Sequence, residues 1–420
     1  MTIGRAAKET VKVVDEYCEP YRDLFEDVRS FESFKLLHIG LISELPRKSL
    51  PAIARAVGEV DGQDLHHLLT EGKWRVEALR EQRLLRLQQA LGERCFALCI
   101  DETGDRKKGT TTDYVARQYI GNLGKLDKGV VSVNAYGVLD NITFPLLFRI
   151  FKPEARLKAG DTYRSKPALA IEMIQELQER GFNFDLVLAD RLYGESGPFV
   201  DALLDMKLRF VVALRDNHGV WMGPGQRIRY TRWRPFQRVF SDGSRQTRYI
   251  CEVIFGKRGR IRYYFLTTDP ATLPAATPCL LMTNLEGNLR QTLGNGYGLR
   301  TWIEYGFKQT KNELGWADYR LTDYPAIERW WELVFSAYWM VSAHTPLFDS
   351  SSTMATHSSP VTRHPWWASD SGWKHTLNNL RLVIQPFVCL CFLLPWLTVF
   401  RLPHLAQSLH HLIACINAFT

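Results

Sequence analysis

The chain has 420 residues, enough for two or three domains of ~150 residues each. It is 45% hydrophobic and 23% charged, which excludes a disordered chain, a coiled coil and a collagen-like repeat. With 53 Lys+Arg against 45 Asp+Glu the net charge is +8, a balance compatible with a nucleic-acid partner but not proof of one. None of the eight cysteines forms a Cys-x-x-Cys pair, and no Cys/His spacing reads as a zinc site, so reduced buried thiols in a cytoplasmic protein are expected.

Residues 1–93 read as helical, with Val11, Val14, Tyr17 and then Phe25, Val28, Phe31 at three-residue spacing. Two short helices are expected near Ser49–Val57 and Gly62–Leu69. They form either a helix-turn-helix that reads DNA or an ordinary helical hairpin. This region holds 14 Lys/Arg and 16 Asp/Glu, so it is no basic arm.

From Arg94 the pattern changes. Cys95–Ile100 is an apolar strand ending at Asp101, followed by a polar loop over Glu102–Gly109. Tyr114–Ile120, Gly129–Leu139 and Phe144–Phe151 are expected strands, with turns at Gly121–Gly124 and Asp140–Asn141. Ser165–Arg180 is an amphipathic helix stopped by Gly181. Leu186–Ala189 is a strand ending at Asp190. A helix at Gly197–Met206 and a strand at Arg209–Leu214 follow. This order predicts a mixed sheet with helices packed on it, with Asp101 and Asp190 side by side at strand ends.

In the segment 215–290, Arg227-Ile-Arg-Tyr-Thr-Arg-Trp-Arg234 and Arg258-Gly-Arg-Ile-Arg262 alternate basic with other side chains. They predict strands with a basic face. Between Arg215 and Arg262 there are 12 Lys/Arg against 3 Asp/Glu, so Arg227, Arg229, Arg232, Arg234, Arg258 and Arg260 are candidate phosphate contacts. A helix from about Tyr297 to Leu314 would place Tyr297, Arg300, Glu304, Lys308 and Lys311 on one face. That face suits a carboxylate holding a metal beside a phosphodiester; equally, Arg300–Glu304–Lys308 can be plain ion pairs. Ser350–Ser359 is an expected surface loop. The apolar stretch Leu382–Phe400 is near the length of a membrane span, but Pro386 and Pro395 interrupt it, so two short buried helices and no membrane contact are expected.

Three carboxylates, Asp101, Asp190 and Glu304, would supply the hard oxygen ligands of two-metal phosphoryl transfer, in which ions ~3.5–4 Å apart stabilise attacking and leaving oxygens. The spacing Tyr297-x-x-Arg300-x-x-x-Glu304 with Lys311 seven residues on resembles the DDE transposases of bacterial insertion sequences, and the Tyr-Arg-Glu-Lys subgroup within them. Asp101-Glu-Thr-Gly104, Ala116-Arg-Gln-Tyr119, Ala189-Asp-Arg-Leu-Tyr-Gly194, Leu377-Asn-Asn-Leu-Arg-Leu382 and Leu394-Pro-Trp-Leu397 are similar to the seven-hundred-one family of insertion sequences.

The resemblance spans about Lys48 to Trp396. It implies an α/β fold: an RNase H-like mixed sheet with flanking helices, a β-rich insertion, and helical N-terminal and C-terminal regions. It divides the chain into a DNA-binding region (1–93), a core in two parts (94–214 and 291–345), the basic insertion (215–290) and a helical C-terminal region (346–420). It implies that Asp101, Asp190 and Glu304 bind two Mg²⁺ ions (Mn²⁺ substituting), and that Tyr297, Arg300 and Lys311 contact phosphates near the scissile end; Lys308, on the same helix face, is a further candidate DNA contact. It further implies cleavage at transposon terminal inverted repeats with strand transfer into target DNA, a homodimer in the DNA complex and a bacterial cytoplasmic, nucleoid-associated location. An RNase H-like nuclease without strand transfer and a domesticated, non-catalytic DNA-binding protein are the alternatives.

Overall fold

The structure is a computed structural model and describes residues 5–140, 142–240, 244–271, 279–345 and 372–419. In chain order the helices α1 (Lys12–Cys18), α2 (Val28–Ile42), α3 (Leu50–Ala56), α4 (Gln63–Thr70) and α5 (Val76–Leu91) come first. Strands β1 (Phe96–Arg106), β2 (Ala116–Ile120), β3 (Lys125–Leu139) and β4 (Ile142–Ile150) follow. Then come α6 (Lys166–Glu179), β5 (Phe184–Ala189), α7 (Arg191–Gly194), α8 (Gly197–Asp205) and β6 (Arg209–Leu214). Strands β7 (Ile228–Tyr230), β8 (Arg234–Val239), β9 (Arg245–Phe255), β10 (Arg262–Thr267) and β11 (Cys279–Thr283) precede α9 (Thr292–Gly298) and α10 (Thr301–Lys308). The chain ends in α11 (Tyr324–Ala343), α12 (Trp373–Val399) and α13 (Pro403–Phe419).

The chain divides into two compact units, a helical one (residues 1–92, 109–113 and 307–420) and a sheet-based one (93–108 and 114–306). The helical unit is organised on α2 and α11, whose residues are almost all buried: Phe31, Phe34, Leu37, Ile39 and Ile42 on α2, and Trp330, Trp331, Phe335, Tyr338 and Trp339 on α11. Trp316 stacks on Trp331 with ring centroids 4.3 Å apart. Asp27 caps α2 by accepting from Ser30 N at 2.8 Å, and Asp323 caps α11 by accepting from Ala326 N at 3.1 Å. The α3–α4 pair lies where the sequence placed it. Its exposed positions on α4 are Gln63, His66 and His67, and that helix carries no Lys or Arg.

His38 of α2 is completely buried. Its Nδ1 lies 2.8 Å from the Phe34 carbonyl and so carries the proton, and its Nε2 accepts from Ser336 Oγ at 2.9 Å. Burial pushes its pKa down to about 4. The unfolded chain therefore binds a proton below ~6.5 that the folded chain refuses until about 4. Stability is fully present above the unfolded value and falls as pH drops through that window, by on the order of 3 kcal/mol at its lower end. Thermal unfolding followed by helix content should show a drop in midpoint between pH 7 and pH 4 that shrinks in His38→Gln. An equal drop in that variant would remove His38 as the cause.

The sheet unit holds one eleven-stranded sheet in the order β2-β3-β1-β5-β6-β11-β10-β9-β7, with β4 beside β3 and β8 beside β9. Its centre is the mixed set β4-β3-β1-β5-β6, in which β1 runs antiparallel to β3 and parallel to β5, and β5 runs parallel to β6. Central strands read as continuous apolar runs because both faces are covered: Val130–Val138 of β3 and Leu186–Ala189 of β5 are largely buried. Helix α6 is capped by Ser165 Oγ, which accepts from Ala168 N at 3.3 Å, and buries Leu169, Met173, Ile174 and Leu177. The expected fold, a mixed sheet with flanking helices and helical terminal regions, is the one observed.

Several local expectations change. The first strand does not end at Asp101 but runs to Arg106, because β3 continues to pair with it as far as Arg106↔Gly129. The expected loop 102–109 is therefore mostly strand. The strands of 215–290 are continuous with the central sheet, because β11 pairs antiparallel with β6. Arg258 and Arg260 lie in the turn between β9 and β10 rather than on a strand, and the stretch 227–234 contains only the three-residue β7 and the start of β8. The single helix expected from Tyr297 to Leu314 is broken at Leu299–Arg300 and ends in a wider π turn at Gln309–Glu313. Gly294, Gly296 and Gly298 weaken that first segment.

The two short C-terminal helices are one helix, α12, which runs through Pro386 and Pro395. Its face with Leu377, Leu380, Ile384, Val388 and Cys391 is buried, which offsets the ~3 kcal/mol that an interior proline costs. Phe392, Leu394, Trp396 and Val399 are exposed. Among the described residues, α12 is the one helix long and apolar enough to cross a membrane, with 28% of its most apolar window buried. The expected loop Ser350–Ser359 and Asn141 of the expected turn lie outside the described residues.

Candidate active site at the ends of β1 and β5

The parallel pairing of β1 with β5 stops at Ile100↔Ala189. The next residues on the two neighbouring strands are Asp101 and Asp190. At that point β5 ends and α7 begins, with Asp190 as its cap: Oδ1 accepts from Leu192 N at 2.9 Å. Helix α7 can leave the sheet so closely because residue 194 is glycine; a Cβ there would lie 2.1 Å from the Ala213 carbonyl oxygen of β6. Asp101 Oδ1 accepts from Glu102 N at 2.8 Å, and its Oδ2 accepts from Arg300 Nη1 at 2.5 Å.

Arg300 stands in the junction between α9 and α10, and its Nη2 also reaches Glu304 Oε1 at 2.8 Å. One guanidinium thus joins Asp101 to Glu304. The Asp101 side chain is 13% exposed and that of Glu304 51%. Burial raises the Asp101 carboxyl to about 7; Arg300 opposes this, and the charge of Asp190 adds to it. Burial also disfavours the charge of Arg300, but Asp101, Tyr297, Glu304 and Asp190 outweigh it and hold its pKa above the ordinary value. Tyr297, on α9, is pushed well up by burial, so its phenol stays protonated.

The chemistry of this centre is that of a hard cation. Two carboxylates are crowded at adjacent strand ends, and the one that is deeply buried resists ionising without added positive charge. Asn134, directly across from Asp101 on β3, is 1% exposed, and its Oδ1 is buried with no hydrogen-bond partner. Oxygen donors of this kind fit magnesium or manganese rather than a soft metal. Among the described residues no three His, Cys, Asp or Glu side chains are gathered tightly enough to hold an ion together. Glu304 reaches the pair of aspartates through Arg300.

The other sequence candidates are dispersed. Lys308 ends α10 and Lys311 lies in the π turn, both in the part of the chain that belongs to the helical unit. Arg227, Arg229, Arg232, Arg234, Arg258 and Arg260 are all exposed. Arg229 donates to the Gly256 carbonyl at 2.9 Å, and Arg258 is paired with Glu252 at 2.7 Å.

Glu102, not among the sequence candidates, belongs to this neighbourhood. It is held by Lys166 Nζ at 3.0 Å and accepts from Tyr193 Oη at 3.3 Å. Burial raises its pKa, and the charge of Asp190 adds to the shift. Its signal in the sequence was only adjacency to Asp101, since Lys166 and Tyr193 come from distant elements.

The chain matches the family described as DDE superfamily endonuclease over residues 23–247 and that described as transposase DDE domain over residues 155–340. It is 56% identical over 329 residues to a protein of Microchaete diplosiphon described as a probable transposase for insertion sequence element IS701, a match covering 78% of this chain and 87% of that one. The chain accordingly belongs to the IS701 family of DDE transposases, DNA-acting enzymes with an RNase H-like core that depend on divalent metal ions.

Proposed function

We propose that this transposase cuts the phosphodiester at the ends of its own insertion sequence, frees a 3′-hydroxyl and joins that hydroxyl to target DNA. The observation that carries the reading is the pairing of Asp101 with Asp190 at adjacent parallel strand ends, with Arg300 bridging Asp101 to Glu304. Asp101, Asp190 and Glu304 would hold two Mg²⁺ ions, or Mn²⁺ in their place, and the ions would supply activation of the attacking oxygen and neutralisation of the leaving one.

The chain's own groups bind and orient the substrate. Arg300 presents two N–H directions that now serve carboxylates and match a phosphate equally well. The protonated Tyr297 phenol donates to a phosphate oxygen. Lys308, Lys311 and the exposed arginines Arg227, Arg229, Arg232, Arg234, Arg258 and Arg260 contact the DNA backbone and set the salt dependence of binding. Residues 1–93 and 215–290 are the two candidate regions for reading the terminal repeats, set against the two-part core (94–214 and 291–345) and the C-terminal region (346–420). Two copies act together as a homodimer on paired ends, in the bacterial cytoplasm at the nucleoid.

The test is incubation with duplex DNA carrying both element ends and Mg²⁺, with cuts mapped to the nucleotide, and in parallel a pre-cleaved end mixed with target DNA. Cuts at the element boundary and a joined product are expected. Cutting without joining of the pre-cleaved 3′ end would leave a nuclease. Binding without cuts in Mg²⁺ or Mn²⁺ would leave a DNA-binding protein.

A further inference from the structure

A cavity of about 360 Å³ opens beside Tyr297 and Arg300 within the sheet unit. Its wall includes Arg238 of β8, Arg248 of β9, Thr267 and Thr301, and no carboxylate is among the described residues that line it. Nearby, Arg258 of the turn after β9 and Arg262 of β10 both pair with Glu252, at 2.7 Å and 3.1 Å. Among the described residues Arg238 and Arg248 have no such partner. Both guanidiniums lie over the ring of Phe240, at 5.5 Å and 5.7 Å from its centroid.

Arg238 is 8% exposed. Its Nη1 donates to the carbonyls of Gly294 and Asn295 at 2.7 Å and 3.3 Å, whereas its Nε is buried with no hydrogen-bond partner. The fit against α9 is so close that a Cβ on Gly298 would sit 1.1 Å from Arg238 Nη1. Among the described residues the Arg248 side chain donates to the neutral Gln246 Oε1, at 3.1–3.2 Å. Burial and the neighbouring charge of Arg248 both depress the pKa of Arg238. Two cations held together partly out of water, with no acid among the described residues around them, carry an electrostatic cost that a bound anion removes. Guanidinium forks beside the Tyr297 phenol suit a phosphate group.

We infer that Arg238 and Arg248 form a second phosphate site, which holds a backbone phosphate of the bound DNA end next to the one held by Tyr297 and Arg300. Arg248 makes the contact, and Arg238, tied to α9, lines the site and positions Tyr297. The assignment rests on the reading of this protein as an enzyme that binds its element's ends.

The experiment compares wild type with Arg248→Gln on a duplex carrying the element end, unmodified and with single methylphosphonates placed along each strand, over a range of salt. Arg248→Gln is expected to bind the unmodified end about tenfold more weakly, with the log K against log salt slope reduced by about one. One methylphosphonate position that weakens wild type should leave the variant unaffected. A wild-type slope, or a weaker affinity with every methylphosphonate penalty still in place, overturns the site. Far-UV circular dichroism checks that the variant is folded. Cleavage of the unmodified end by wild type is read in parallel: its failure sinks the activity, whereas cleavage together with a wild-type response from Arg248→Gln sinks only this site.

Discussion

Asp101→Ala and Asp190→Ala should each lower strand cleavage by about a thousandfold or more, with binding to the element end still measurable. The magnitude is the upper end of what a single electrostatic group contributes to a transition state. Both residues follow directly on the last paired positions of β1 and β5, so neither can be replaced by a neighbour without a shift in register. Glu304→Ala belongs with them, since the same guanidinium serves Asp101 and Glu304. Substantial cutting by either aspartate variant, assayed in Mg²⁺ on end-labelled DNA, would exclude the site.

A stability signature should accompany the loss. The folded pKa of Asp101 is raised, to about 7, so the native protein holds a proton there that the unfolded chain releases near ~3.8. Stability therefore declines as pH rises through that window, and metal-free Asp101→Asn removes the decline. The melting temperature of Asp101→Asn minus that of wild type should grow between pH 5 and pH 8. A difference independent of pH would mean that the carboxyl is not strained by its surroundings.

Glu332→Gln should cost the helical unit about 3–5 kcal/mol, the penalty for leaving buried charge unmatched. Glu332 and Arg83 are fully buried on α11 and α5, with Arg83 Nε 2.6 Å from Glu332 Oε1. Arg80 Nε lies 3.2 Å from the other carboxylate oxygen and Arg80 Nη2 2.9 Å from Glu328. Removing that negative charge takes the carboxylate away from Arg83 and from one side of Arg80 in a core rich in tryptophan and phenylalanine. Chemical denaturation followed by helix content is the measurement. A loss below ~1 kcal/mol, the size of a surface ion pair, would show that water reaches the cluster.

Legibility in the sequence varied with the range of the interaction involved. Period and capping are local, so α6, with its Ser165 cap and its Leu169–Leu177 stripe, and the strands β5 and β6 were readable within a residue or two. The proximity of Asp101 and Asp190 was readable too, because apolar runs ending in an acid mark where a buried strand meets solvent. The break at Leu299–Arg300 was not read, since the regular spacing of Tyr297, Arg300 and Glu304 suits a continuous helix and hides the three glycines before it. The prolines of α12 misled in the opposite direction, because the packing of Ile384 and Val388 overrides a local preference.

The sequence by itself determined the order of the candidate carboxylates, the basic excess of Arg215–Arg262 and the alternation of strands with helices. These depend on residue type and on spacings within one element. Only the tertiary structure decided that the basic strands extend the central sheet through β11 and β6, that Arg300 bridges Asp101 and Glu304, and that Arg238 and Arg248 share a cavity with Tyr297 and Arg300. Each of these joins positions far apart in the chain, Arg300 and Asp101 by 199 residues. Such contacts are selected by burial and charge balance summed over the whole unit, a sum that no local pattern carries.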